Sequence, residues 1–160
     1  MSKKLQLLSC LKKRHLLNAQ LFDQDECVRY GKLYEASGYI SDAIDFYAKA
    51  KAWDELKALL PRVIEEGDVF LFEKIYHSLK ETPSEEEWKK IGDVALKLDK
   101  WVFAYKAYLK AGVTEKVEEV EKLLKEKGLF VLPQTSLPGT GQEPVKKILV
   151  KKKRKKRRKK

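Results

Sequence analysis

Twelve of the last fifteen residues are cationic: Lys146, Lys147, Lys151, Lys152, Lys153, Arg154, Lys155, Lys156, Arg157, Arg158, Lys159 and Lys160, with no acid among them. Cations at that density suit a polyanion, because neutralising phosphates releases condensed counterions to bulk water. No aromatic residue in this run can stack on bases, so binding without sequence reading is expected. Nucleic acid, RNA in preference, is the expected target. Two other targets fit the same chemistry. One is an anionic membrane surface, with Ile148-Leu149-Val150 as a short apolar insertion; the other is a nuclear import receptor. The blander reading is a solubilising tail that touches the acidic body of its own chain.

Other reactive residue types are sparse. Cys10 and Cys27 lie 17 residues apart, which matches no metal spacing, and two cysteines do not make a secreted disulfide scaffold. Reduced thiols in an intracellular chain are expected. His15 and His77 stand alone, with no cysteine or carboxylate at ligand spacing. There is no glycine-rich phosphate loop, no Gly-x-Ser-x-Gly elbow and no His-Glu-x-x-His. Glu85, Glu86 and Glu87 could be pictured as paired acid and base, but a place in the first turn of a helix accounts for them. The chain is expected not to be an enzyme and to use no metal or cofactor.

Charge is segregated along the sequence. Of 35 Lys/Arg, 12 fall in 146–160, while the stretch 23–145 holds 18 against 24 Asp/Glu, a net of −6. Residues 1–22 add Lys3, Lys4, Lys12, Lys13 and Arg14 and no acid. An acidic body therefore lies between two basic ends. The run Leu5 to Cys10 is too short for a secretory core and Lys12-Lys13-Arg14 follows at once, so no lipoprotein signal is expected. No window reaches the length of a membrane span.

The elements that must carry these groups are helices. Leu5, Leu8, Leu11 and Leu16 recur at helical spacing, and no stretch alternates as a strand does. A second helix is expected from Asp25 to Ser37, closed by Gly38, and a third is opened by Ser41 and Asp42. The fourth runs from Trp53 to Glu66, with Pro61 expected to bend it. The fifth spans Val69 to Lys80. The sixth opens at Ser84 and reaches Leu98, the seventh covers Trp101 to Lys110, and the eighth starts at Thr114 and ends at Gly128. Eight helices with short connections describe an antiparallel helix-hairpin array. Residues 129–145, with Pro133, Pro138, Gly139, Gly141 and Pro144, read as a linker, and 146–160 as a disordered polybasic tail.

Two stretches repeat at an offset of 61: Tyr30-Gly31, Ala43, Tyr47 and Ala50, then Ile91-Gly92, Ala104, Tyr108 and Ala111. Gly31 facing Ala43, and Gly92 facing Ala104, are expected to let paired helices approach closely, with the tyrosines filling the space beside them. On these residues, with Trp88 and Ala95 in the second unit, the sequence resembles the tetratricopeptide family, whose pattern is 34 residues long. The run Tyr34 to Trp53-Asp54 also resembles helical arrays of coat and transport scaffolds. Neither unit has the family's closing proline; Glu55 and Lys116 stand there.

The resemblance implies an all-α solenoid over residues 1–128 whose first helices line a peptide groove. By repeat position that groove presents Asp25, Val28, Lys32, Glu35 and Ala36, then Glu86, Lys89, Asp93, Leu96 and Lys97. Of these, Lys32, Glu35, Lys89, Asp93 and Lys97 are taken as the candidate site residues; they are mixed in sign, and the family's carboxylate clamp is missing. The function expected is an adaptor, a monomer or weak oligomer, with a protein on the array and a polyanion on the tail. Its rival is an RNA- or ribosome-associated protein using both basic ends. A third reading is a small structural subunit that stacks on a larger assembly.

Overall fold

A computed structural model describes residues 6–129. They form eight α-helices: α1 Cys10–Asn18, α2 Gln24–Ala36, α3 Ile40–Ala50, α4 Trp53–Glu65, α5 Val69–Leu79, α6 Glu85–Lys97, α7 Trp101–Ala111 and α8 Thr114–Glu126. Among the described residues there is no strand. The expectations for Lys3 and Lys4, for the linker beyond Leu129 and for the tail lie outside the described residues.

Two helix types alternate. The first helices α2, α4, α6 and α8 have 13 residues each, and the second helices α3, α5 and α7 have 11. Successive pairs start 29 and then 32 residues apart, shorter than a 34-residue period. Each second helix packs back on its own first helix, and the second helices pack in a row, α3 on α5 and α5 on α7. α1 also packs on α3 and so stands where a preceding second helix would be. α8 packs on α7 without a second helix of its own among the described residues.

The row is tied by lysines reaching across it. Lys13 of α1 meets Asp42 at 2.7 Å, Lys74 of α5 meets Asp45 at 2.7 Å, and Lys106 of α7 meets Glu73 of α5. Lys74 also donates to the Ser41 carbonyl at 2.8 Å. These pairs are partly exposed, so each adds about 0.2–1 kcal/mol and chiefly sets register.

Local signals explain most helix ends. Asp23 caps α2 and Asp68 caps α5 through their carboxylates, and Ser84 with Glu87 forms a capping box on α6. The third helix starts a residue earlier than expected, at Ile40, so Ser41 and Asp42 lie inside its first turn and neither caps it. α1 is shorter than the leucine spacing implied and buries no residue. Pro61 does not interrupt α4. The carbonyl it leaves without a donor belongs to Lys57, on an exposed turn where water can serve it.

The core is almost wholly apolar, with Ile44, Phe46, Leu56, Leu59, Phe72 and Ile75 fully enclosed. Gly31 and Gly92 do mark close approaches, and what lies nearest each is a tyrosine of the following helix, nearer than the alanine expected. A Cβ on Gly31 would sit 2.6 Å from Tyr47 Cδ1, and one on Gly92 3.0 Å from Tyr108 Cε1. The tyrosine ring lies over the glycine, because a flat ring fills the gap that a missing side chain leaves.

Candidate partner-binding cleft

α2 does not pack on α4, and the space between them is an open cleft of about 550 Å³. Lys32, Glu35 and Ala36 form one wall, Glu55, Ala58 and Arg62 the other, and Tyr47 lies at its base. Lys32 and Glu35, three residues apart on α2, both line the cleft. The α4 wall was missed by sequence reasoning, because the middle helix pair carries none of the glycine and alanine signals that guided the repeat. Its signal was available: Tyr76 falls 29 residues after Tyr47 and 32 before Tyr108, placing α4 and α5 in register as a pair.

The charges in the cleft are not equivalent. Glu35 accepts a 2.5 Å hydrogen bond from the Tyr47 hydroxyl, so it anchors the hairpin as well as lining the wall. Arg62 donates from Nε to Glu66 at 2.8 Å, one turn along its own helix. Lys32 is exposed and forms no ion pair with the described residues. A ligand would therefore meet Lys32 and the outer edge of the Arg62 guanidinium as donors, and Glu55 and Glu35 as acceptors. Such a surface suits a polar peptide better than an apolar helix.

Asp93, Lys89 and Lys97 lie on α6, which packs against α4 and not against α2. Lys89 and Lys97 are exposed, and Asp93 is half-buried because it accepts a 2.7 Å hydrogen bond from Tyr108. Two of the five candidate site residues, Glu35 and Asp93, are therefore bonded to core tyrosines. A third such pair joins Tyr76 of α5 to Glu87 of α6, across two helix pairs. Burial, and then the carboxylate that each faces, raises all three phenols above their ordinary value. Glu87 moves the other way: the Tyr76 hydroxyl and the Ser84 backbone and hydroxyl donate to it and lower its pKa, against a smaller effect of burial.

At the N-terminal basic end, Lys13 is bound to Asp42, whose hydrogen bond raises the lysine pKa. Lys12 and Arg14 are exposed. His15 and His77 are exposed as well, Cys10 is exposed and Cys27 is buried. Among the described residues no group of three His, Cys, Asp or Glu is placed to hold a metal ion, and no helix is long and apolar enough to cross a membrane.

No family model, curated protein or solved structure matches the chain. The tetratricopeptide resemblance rests on the glycines, alanines and tyrosines that carry it.

Proposed function

We propose that the chain is a non-catalytic, intracellular adaptor. The α2–α4 cleft takes a protein partner, and residues 146–160 hold that partner on a nucleic acid, RNA in preference. The observation that carries the reading is the separation of charge: 12 Lys/Arg without an acid in 146–160, against a net of −6 over 23–145. An acidic body is repelled by phosphate, so a polyanion is engaged by the tail and left by the rest of the chain. Tail binding then raises the local concentration of whatever the cleft holds, while selectivity stays with the cleft.

The rival reading adds the N-terminal bases to the tail in one nucleic-acid surface. Lys13 weighs against it, being held by Asp42 on the row of second helices. The test is binding of the full chain and of residues 1–145 to mixed RNA and double-stranded DNA over a salt series. The adaptor reading expects binding that weakens steeply with salt, with a logarithmic slope of about −0.7 per phosphate neutralised on single strands, and that disappears on truncation. Binding retained by residues 1–145 would favour the rival. No binding at low salt would remove nucleic acid from the account.

A further inference from the structure

Each second helix turns the same face toward the next one in the row. Counted from Tyr47, Tyr76 and Tyr108, the residues Ser41, Phe70 and Val102 hold one repeat position, each six before its tyrosine. The Ser41 carbonyl accepts from Lys74 of α5 at 2.8 Å, and the Phe70 ring meets Phe103 of α7 edge-on at 5.2 Å. Glu73, one turn after Phe70, pairs with Lys106 of α7. Among the described residues α7 is the last of the row, and Val102 has no such cover. It is 52% exposed, and Leu109 is 41% exposed. The two stand one above the other, two turns apart, with half-buried Tyr105 between them.

One edge of this face belongs to α8, which runs back along α7. The charges of Glu121 and Lys125 reach the Tyr105 hydroxyl. Lys125 Nζ lies 2.7 Å from Glu121, yet the lysine side chain is 71% exposed. Glu118 is exposed and stands two turns before Lys125 on the same stripe of α8. Because the helices run in opposite directions, Lys125 flanks the Val102 end of the face and Glu118 the Leu109 end. On the other edge Lys106 is held by Glu73 and lies over the Phe70 ring.

This pattern is its own complement. A second face turned end for end about a two-fold axis beside Tyr105 sets Val102 on Leu109 at both ends. The same rotation sets Lys125 on Glu118 at both ends. Each pair is seven residues apart, about 10.5 Å along a helix, so a single register serves the apolar stripe and the charges together.

We propose that a second copy of this chain covers the α7 face, antiparallel and two-fold related, with Val102 against the partner's Leu109 and Lys125 against the partner's Glu118. Such a contact is isologous, so it closes at two chains and does not build a filament. The face is one helix wide with one charged edge, small for a permanent interface, and the pairing is weak and reversible. It does not depend on the adaptor reading, but it would place two clefts and two cationic tails on one particle, and two tails hold a polyanion more firmly than one.

The test is sedimentation equilibrium of the nuclease-treated full chain from about 1 to 500 µM, a range that spans weak association. The average mass is expected to rise toward that of two chains. V102D/L109D alters only exposed side chains, and should hold the mass at one chain with helical circular dichroism unchanged. K125E should weaken association about fivefold, two exposed ion pairs being lost, and K125E/E118K should restore it. A mass of one chain across the range would overturn the proposal and leave the face to a different protein. So would association that persists in V102D/L109D, or that the double charge swap fails to restore.

Discussion

Tyr47 lies over Gly31, with its hydroxyl on Glu35 and its ring where a Gly31 side chain would have to be. Tyr108 repeats the relationship over Gly92 with Asp93. The carboxylates differ in place: Glu35 is four residues after its glycine and Asp93 one after. A buried phenol needs an acceptor and either turn of the first helix can supply one. What recurs is the ring over the glycine.

Gly31→Ala should therefore destabilise by about 1–3 kcal/mol, the cost of forcing atoms into a filled core, although alanine is the better helix former by about 1 kcal/mol. Gly92→Ala, where the ring is further off, should cost less. Denaturant midpoints of the two variants decide it. An unchanged or raised midpoint for Gly31→Ala would show that the ring can move aside.

Glu87 has a folded pKa below its ordinary 4.5. A carboxylate lowered by folding adds stability above the unfolded value, and that stability is lost as pH falls through the folded value. Glu87→Gln should flatten the acid limb of stability measured below about pH 4.5 relative to the parent chain. Tyr76→Phe should flatten part of it, because Tyr76 is the largest cause of the shift. A limb of unchanged steepness in both variants would contradict the assignment.

The raised phenols act at the opposite end. An acid whose folded pKa exceeds the unfolded 10 stabilises below pH 10, and the stabilisation disappears as pH rises. Tyrosinate absorbance should then appear in two steps, with Tyr47, Tyr76 and Tyr108 ionising only as the chain unfolds. One smooth step around pH 10 for all seven tyrosines would oppose this.

The lysine ladder should be weak and salt-sensitive. Lys74→Ala and Asp45→Ala, measured singly and together, should give a coupling of about 0.2–1 kcal/mol that falls in high salt. A larger coupling, insensitive to salt, would mean that the pair is shielded from water.

Much of the fold was legible in the residues. Glycines after periodic stretches placed the ends of α2, α4, α7 and α8, and Ser84 with its three glutamates placed the start of α6. What was not legible depends on contacts distant in sequence. Asp42 looks like a helix-opening residue, and only the packing of α1 on α3 makes it the partner of Lys13. Glu35 and Asp93 look like wet groove charges, and only the tyrosines from the following helix turn them into anchors. The α4 wall of the cleft stayed hidden because Leu60 occupies the turn where α2 and α6 have glycine. The middle pair therefore lacked the motif that revealed its neighbours.

The most direct test of the adaptor reading uses two baits, the full chain and residues 1–145, in nuclease-treated and untreated extract. The account predicts that both baits retain the same protein, that Lys32→Glu with Arg62→Glu releases it, and that nucleic acid stays only with the full chain. If truncation removes protein and nucleic acid together, or nuclease alone releases the protein, the array is not the partner-binding part and the adaptor reading is contradicted.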